Sequence, residues 1–298
     1  MPVIVLEARE FASPLFLVRS WEVLSSCTTF SLVTVLESAE LTKNLLLLEH
    51  LQAIKILCIS TWCFFFILTL LIHILSTIQF HSLLPLSWKN LTVTVAVLGS
   101  LMCLTASIYF QWLIMDRQQA WPRPVTAAVT SGLTFLAYSL ESFILCSQVQ
   151  EQRGFMGSIL GFLKIVQLWG GLQMIPLFVE ASHGLLNGLH HWQLWVSGMS
   201  YCVCIIMSFV TLVVILGDFA GQFFLPFDRL MVCFTVTGLL LYIVNTVICF
   251  SRIIQLGNSA SKGPELVIME TVVACITLLS YTVDLTFSIK LLWDRSRT

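Results

Sequence analysis

Four of the ionisable residues inside strongly apolar stretches of the chain form two candidate pairs, and a charge in such a stretch needs a partner. Arg19 and Glu141 belong to the first half of the sequence, and Lys164 and Asp284 belong to the second half. A charge at the middle of a bilayer costs about 2.5 to 3.5 kcal/mol even on the lenient insertion scales. Such groups either pair with an opposite charge or carry protons and ions, so these four residues form the candidate site.

The depths of these residues match in pairs of opposite charge. At about 1.5 Å of rise per residue, Arg19 lies roughly 6 Å and Glu141 roughly 9 Å from one side of the membrane, and Lys164 and Asp284 lie roughly 14 and 12 Å from that side. If the first and last helices of each set of four are antiparallel neighbours, the pairs Arg19–Glu141 and Lys164–Asp284 hold each set together. Two alternatives stay open: a protonated carboxyl without a partner, and an Arg19–Glu22 pair three residues apart.

The composition predicts a membrane protein around these residues. Hydrophobic residues make up 57% of the 298 and charged residues only 10%, with a mean hydropathy of +0.91. A bilayer core about 30 Å thick requires about 20 apolar helical residues. Eight stretches meet this requirement: 15–36, 57–79, 91–114, 125–147, 155–179, 194–217, 229–251 and 266–292. The fold class is therefore an all-α polytopic membrane protein with eight transmembrane helices.

The chain repeats one pattern of four stretches. Leu136–Glu141 in the first half corresponds to Leu279–Asp284 in the second, and Phe16–Glu22 corresponds to Phe162–Gln167 with a slip of one residue. An internal duplication is the simplest explanation. It predicts two tandem four-helix domains, residues 1–150 and 151–298.

The connections indicate how the chain is oriented. A modest excess of Lys and Arg on one side places both termini in the cytosol and Arg252, just after the seventh stretch, on the opposite side. The first ten residues lack a basic-then-apolar signal, so the first stretch is expected to be an uncleaved insertion signal. The N-glycosylation sequon Asn90-Leu91-Thr92 then falls on the cytosolic side, and we expect no glycan there.

Other groups of residues give no sign of catalysis. Glu180, His183, His190 and His191 are metal-ligand types, but no second cluster completes a tetrahedral zinc site. Gly157 and Gly161 open the fifth stretch with spacing that favours close helix packing or a homo-oligomer, and Cys146 has a position suited to palmitoylation. No phosphate loop, nucleophile elbow, metalloprotease motif or basic nucleic-acid patch is present. We expect no enzyme, cofactor, metal or nucleic-acid partner.

Several motifs in fixed order resemble the myeloid-associated differentiation marker proteins, which carry two consecutive MARVEL domains of four helices. The motifs span almost the whole chain, and those of the second half look most like the marker-like members. They are Ser26–Val33, Trp62–Phe64, Pro85–Asn90, Gly154–Met156, Gly161–Gln167, Pro226–Leu230 and Leu279–Leu285.

The resemblance implies a non-enzymatic protein of the plasma membrane or vesicles. It implies an organiser of cholesterol-rich regions, of trafficking or of membrane–cortex linkage. The expected partners are membrane lipids including cholesterol, other membrane or cortical proteins, and further copies of the chain in a homo-oligomer. A large lipid-facing surface with small loops suits work through helix and lipid contacts. The alternative function is a proton- or ion-coupled transporter or channel that uses Glu141 and Asp284.

Overall fold

A computed structural model of the chain describes residues 13–41, 52–78, 86–115, 122–147, 154–185, 191–217, 227–257 and 264–297. Helices account for the regular structure of these residues. The eight long helices are α1 (Pro14–Leu41), α2 (Gln52–Thr77), α3 (Trp88–Tyr109), α4 (Pro122–Ser147), α5 (Ile159–Leu185), α6 (His191–Leu216), α7 (Phe227–Gly257) and α8 (Pro264–Arg297). A short π-helix, Phe110–Met115, continues α3, and a 3-10 turn, Phe155–Gly157, precedes α5.

Proline marks the beginning of three of these helices. Pro14, Pro122 and Pro264 are the first residues of α1, α4 and α8. Proline suits this position because its fixed φ is already helical and its missing N–H has no intrahelical partner there. Ser13 caps α1, since its Oγ accepts a hydrogen bond from the Phe16 N–H at 3.1 Å. These three prolines therefore favour the first turn of their helices.

The prediction of a multi-pass helical membrane protein is confirmed. Within the described residues, seven helices are long and apolar enough to cross a bilayer; they are α2 to α8, each with a span of 22 to 26 residues. The helix outside this group is α1, which contains Arg19, Glu22 and many serines and threonines. These polar residues lower its hydropathy, so the eighth span stays a prediction.

Hydroxyl groups along α1 are bonded within the helix. Thr29 Oγ1 donates to the Ser25 carbonyl at 2.8 Å, and Ser31 Oγ donates to the Cys27 carbonyl in the same way. A hydroxyl that bonds the carbonyl one turn earlier presents no free donor to its surroundings. Hydropathy alone therefore overstates the cost of placing α1 in an apolar environment.

The chain divides into two compact units, unit 1 (Met1–Ser158) and unit 2 (Ile159–Thr298). In unit 1, α1 packs against α2 and α4, and α3 packs against the same two helices. In unit 2, α5 and α7 each pack against α6 and α8. In each unit the first and last helices of the set are therefore neighbours. This adjacency was the condition for the predicted ion pairs.

The fifth apolar stretch differs from its predicted form at its beginning. Gly157 ends the 3-10 turn, and Ser158 has extended backbone with ψ of 164°, so α5 starts only at Ile159. Gly157 and Gly161 therefore do not share one helix face, and the predicted packing motif was wrong. Pro176 lies inside α5.

Candidate functional site: buried ion pairs inside each helical unit

The structure brings Arg19 and Glu141 together inside unit 1. Arg19 Nε on α1 lies 2.6 Å from Glu141 Oε1 on α4, and both side chains are buried. A hydrogen bond between two charged groups is shorter and stronger than a neutral one. Because neither charge faces solvent, removal of one partner would leave the other uncompensated in an apolar interior.

Glu22 lies next to this pair and is completely buried. It follows Arg19 by one helical turn, yet the carboxylate bonded to the guanidinium is Glu141. Within the described part of the chain, no donor group makes a hydrogen bond to either oxygen of Glu22. Its carboxyl neighbours that of Glu141 instead. Unit 1 therefore places two acids and one base in a single buried cluster.

The structure also brings Lys164 and Asp284 together inside unit 2. Lys164 Nζ on α5 donates to Asp284 Oδ2 on α8 at 2.5 Å and to Thr235 Oγ1 on α7 at 2.9 Å. Gln167 Nε2, one turn beyond Lys164, donates to the same Asp284 oxygen at 2.9 Å. All four side chains are buried. One acid and one base here form a neutral cluster that joins three helices.

Sequence reasoning missed a third pair, which joins Arg252 and Glu270. Arg252 Nη1 on α7 lies 3.3 Å from both carboxylate oxygens of Glu270 on α8. Tyr201 donates its hydroxyl to Glu270 Oε1 at 3.3 Å, and the guanidinium lies 5.9 Å from the centroid of the Phe178 ring. An aromatic face attracts a cation at this distance.

The sequence did not predict the Arg252–Glu270 pair because α7 is longer than the seventh apolar stretch. The sequence predicted that the seventh span ends at residue 251, which placed Arg252 in a connection, whereas α7 continues to Gly257 and buries Arg252. A usable signal was present, because Glu270 is an acid within the eighth apolar stretch. An ionisable residue at such a position indicates a buried partner.

Three tyrosines lie between the two charge clusters of unit 2. The ring of Tyr242 on α7 has its centroid 6.3 Å from that of Tyr201 on α6 and 5.4 Å from that of Tyr281 on α8. Tyr201 contacts Glu270, and Tyr281 precedes Asp284 by three residues. The tyrosine rings therefore join α6, α7 and α8 in the interior of unit 2.

Each unit buries more than one acid. Unit 1 buries Glu22 and Glu141, and unit 2 buries Glu270 and Asp284. In the histidine-rich group considered for zinc, Glu180 is buried near the end of α5, and the side chains of His183, His190 and His191 lie outside the described residues. All ten cysteines lie in described helices and are free thiols, including Cys146 in α4.

Large apolar side chains cover the outside of the helices. Trp195 is 72% exposed, Phe143 69% and Leu24 68%. Others with more than half of their surface exposed include Phe64, Ile159, Ile206, Val247 and Ile254. Many exposed large apolar side chains are typical of an interaction site or a membrane-facing surface. Charged groups inside and hydrocarbon outside are the opposite of the usual arrangement in soluble proteins.

Comparison with curated proteins gives relatives along nearly the whole chain. The chain is 28% identical to a myeloid-associated differentiation marker homolog of Xenopus laevis, with 94% of each protein covered. It is 28% identical to human myeloid-associated differentiation marker-like protein 2 over 93% of this chain and 91% of that protein. It is 25% identical to the rat myeloid-associated differentiation marker over 96% of this chain and 92% of that protein.

No family model and no solved structure matches the chain. The resemblance carried by the sequence motifs is nevertheless confirmed, because these curated relatives cover more than nine-tenths of the chain. The chain is a multi-pass helical membrane protein and a relative of the myeloid-associated differentiation marker and marker-like proteins.

Proposed function

We propose that this protein is a non-enzymatic organiser of membrane domains that acts through helix and lipid contacts. Its setting is a cholesterol-rich region, a trafficking vesicle or a site of membrane–cortex linkage. In this proposal the chain crosses the membrane eight times as two MARVEL-like four-helix bundles. Both termini lie in the cytosol, and the protein resides in the plasma membrane or vesicles.

The sorting of side chains in each unit carries this proposal. Arg19, Lys164 and Arg252 are each turned inward onto a carboxylate, and large apolar side chains are turned outward. Each of these three cations has a carboxylate partner, and large apolar side chains dominate the outward faces of the helices. Such a surface favours lateral association with lipids and other helices.

The contacts of α1 support an eighth crossing. Its 28 residues correspond to a length of about 42 Å, which exceeds the hydrocarbon thickness of a bilayer. Arg19 has a carboxylate partner on α4, and serine and threonine hydroxyls are bonded within the helix. Arg19 and these hydroxyl groups, which reduce its hydropathy, are thus satisfied inside unit 1.

The lengths of the seven apolar helices favour a thick, sterol-rich membrane. Spans of 22 to 26 residues are about 33 to 39 Å long. The hydrocarbon region is about 27 Å thick in the endoplasmic reticulum and about 32 to 33 Å in the plasma membrane. Since mismatch costs a fraction of a kcal/mol per Å, long spans bias the protein toward the thicker bilayer.

Partition between coexisting lipid phases tests this function. The purified protein, labelled at one terminus, is reconstituted in giant vesicles of unsaturated phosphatidylcholine, sphingomyelin and cholesterol. We expect enrichment in the thicker, cholesterol-rich phase and a shift of the temperature at which the phases mix. A lipid mixture whose two phases have matched thickness is the control, and there the enrichment should fall. Exclusion from the ordered phase in both mixtures, with no shift in mixing temperature, would refute the proposal.

Proton flux tests the competing function of a transporter or channel. Proteoliposomes with an internal pH-sensitive dye should acidify no faster than protein-free liposomes when a pH gradient is imposed. Flux that disappears in Glu141→Gln or Asp284→Asn would replace the organiser with a transport protein. Proximity labelling in cells identifies the neighbours of the protein. We expect cortical and vesicle proteins for an organiser and a transport partner for a transporter.

A further inference from the structure

The carboxyl of Glu22 has an unusual position for an ionised acid. It is completely buried, and no donor among the described residues bonds either of its oxygens. The carboxyl of Glu141, which already accepts from Arg19 Nε, is its neighbouring acid. Two ionised carboxylates are both acceptors and repel each other, so they form a hydrogen bond only if one of them holds a proton.

The second unit contains a corresponding cluster in which an amide replaces the carboxyl of Glu22. In the duplicated sequence Arg19 corresponds to Lys164 and Glu141 to Asp284, so the residue one turn after the cation is Glu22 in unit 1 and Gln167 in unit 2. Gln167 uses its amide N–H to donate to Asp284 Oδ2 at 2.9 Å. An ionised glutamate has no hydrogen to donate from this place, whereas a protonated glutamate has an O–H.

We propose that Glu22 and Glu141 form a proton-binding site that holds one proton at neutral pH. The proton sits between the two carboxyls, and Glu22 donates to Glu141 as Gln167 donates to Asp284. The proton comes from water and no other bond changes, so the cluster of one base and two acids becomes neutral. Unit 2 reaches neutrality without a bound proton. This site is independent of the proposed lipid-organising function.

Charged and titratable groups near Glu22 come from its own helix and from neighbouring helices. On its own helix the charged neighbour is Arg19, whose Nε is bonded to Glu141 on α4. Tyr138 on α4 and Cys103 on α3 also lie within electrostatic range of Glu22. On α2, His73 lies near Arg19. Arg19 is the one strong base of this set, so a single positive charge faces two carboxyls.

A bound proton makes the stability of the protein depend on pH in a defined direction. In the unfolded chain, a glutamate ionises with its ordinary pKa of about 4.3. At pH values above that, the folded state holds one proton more than the unfolded state. The ratio of folded to unfolded protein should therefore fall by up to about tenfold per pH unit as the pH rises, and the stabilisation should be fully present at low pH.

Infrared difference spectroscopy detects the proton directly. The full-length protein in lipid nanodiscs is compared with Glu22→Gln at pH 7. We expect the wild type to show the C=O stretching band of a protonated carboxylic acid and the variant to have lost that band. The variant should also retain the thermal stability of the wild type at pH 7, with a weaker pH dependence. An unchanged acid band, or a Glu22→Gln protein that does not fold, would refute the site, because the amide is the nearest equivalent of the protonated acid.

The reciprocal variant in unit 2 provides the matched test. Gln167→Glu gives unit 2 the same two acids and one base, so it should gain a second acid band and a steeper loss of thermal stability between pH 6 and pH 9. The comparison uses the wild type in the same nanodiscs. If Gln167→Glu adds neither the band nor the pH dependence, a second acid at this position does not bind a proton, and the inference from unit 1 fails with it.

Discussion

The ammonium of Lys164 on α5 lies 2.5 Å from the carboxylate of Asp284 on α8, although 120 positions separate the two residues in the chain. Asp284 Oδ2 also accepts from Thr235 and Gln167, so one oxygen joins α5, α7 and α8. Breaking a buried pair is costly because the remaining charge has no replacement for water. This contact is a sensitive point in the stability of unit 2.

Exchange of the two charges tests the pairing. Lys164→Glu and Asp284→Lys alone should each destabilise the protein by about 3 to 5 kcal/mol, because each places two like charges together in the interior. The double variant restores opposite charges and should recover part of the loss. The measurement is the yield of monodisperse protein and its thermal midpoint in detergent. The control is Lys290→Glu, because Lys290 is exposed and lies on α8 with Asp284. A double variant no more stable than the single ones would show that the ion pair is unimportant.

Loss of Arg252 should destabilise unit 2 through Glu270. In Arg252→Gln the Glu270 carboxylate keeps the Tyr201 hydroxyl and loses its only charged hydrogen-bond partner among the described residues. We expect a loss of about 3 to 5 kcal/mol, measured as a lower thermal midpoint in nanodiscs. Arg229→Gln changes an exposed arginine at the start of the same helix and should be neutral. Equal midpoints for the two variants would contradict the structural role of Arg252.

Two glycines offer a matched test of helix packing. A Cβ at Gly170 on α5 would overlap the Thr277 side chain on α8, whereas nothing lies within 4 Å of a Cβ at Gly132 on α4. Gly170→Ala should therefore separate the helices and cost about 1 to 3 kcal/mol. Gly132→Ala should be neutral or stabilise by up to about 1 kcal/mol, since alanine favours the helix. Thermal unfolding compares them directly, and a Gly170→Ala protein as stable as Gly132→Ala would be inconsistent with this close approach.

Asn90 should have a structural role and carry no glycan. Its Oδ1 accepts a hydrogen bond from the Met156 N–H at 3.1 Å, and the side chain is buried. Asn90→Ala should cost about 1 to 3 kcal/mol because a buried N–H loses its acceptor. Thr92→Ala removes the sequon and keeps the Asn90 amide, so it should have a much smaller effect. Glycosidase treatment should change the mass of neither variant nor wild type, and a mass shift limited to the wild type would reverse the predicted topology.

The sequence predicted the partners of the candidate site where helix register alone decides them. The residues of the pairs Arg19–Glu141 and Lys164–Asp284 lie at similar depths on helices that begin and end a set of four, and they are in contact. Depth in the membrane does not decide between two carboxylates that lie at similar depths. For Arg19 it allowed Glu22 or Glu141, and only the direction of the side chains selects Glu141.

Other features depend on helix ends and tertiary contacts, which hydropathy describes poorly. An arginine such as Arg252 ends an apolar stretch in a hydropathy profile, even when a carboxylate on the next helix lets α7 continue past it. The contact of Asn90 with Met156 joins positions 66 apart and follows no local pattern. Ser158 interrupts the apolar stretch before α5 through its backbone conformation, which the side-chain pattern does not record.

The separation of 122 residues between Arg19 and Glu141 has a consequence for biosynthesis. Translation adds about 5 to 20 residues per second, so the arginine leaves the ribosome about 6 to 24 s before its glutamate. During that interval a guanidinium without its carboxylate must be accommodated at the translocon. Folding of unit 1 therefore waits for its last helix, and a nascent chain truncated before α4 should be a target for quality control.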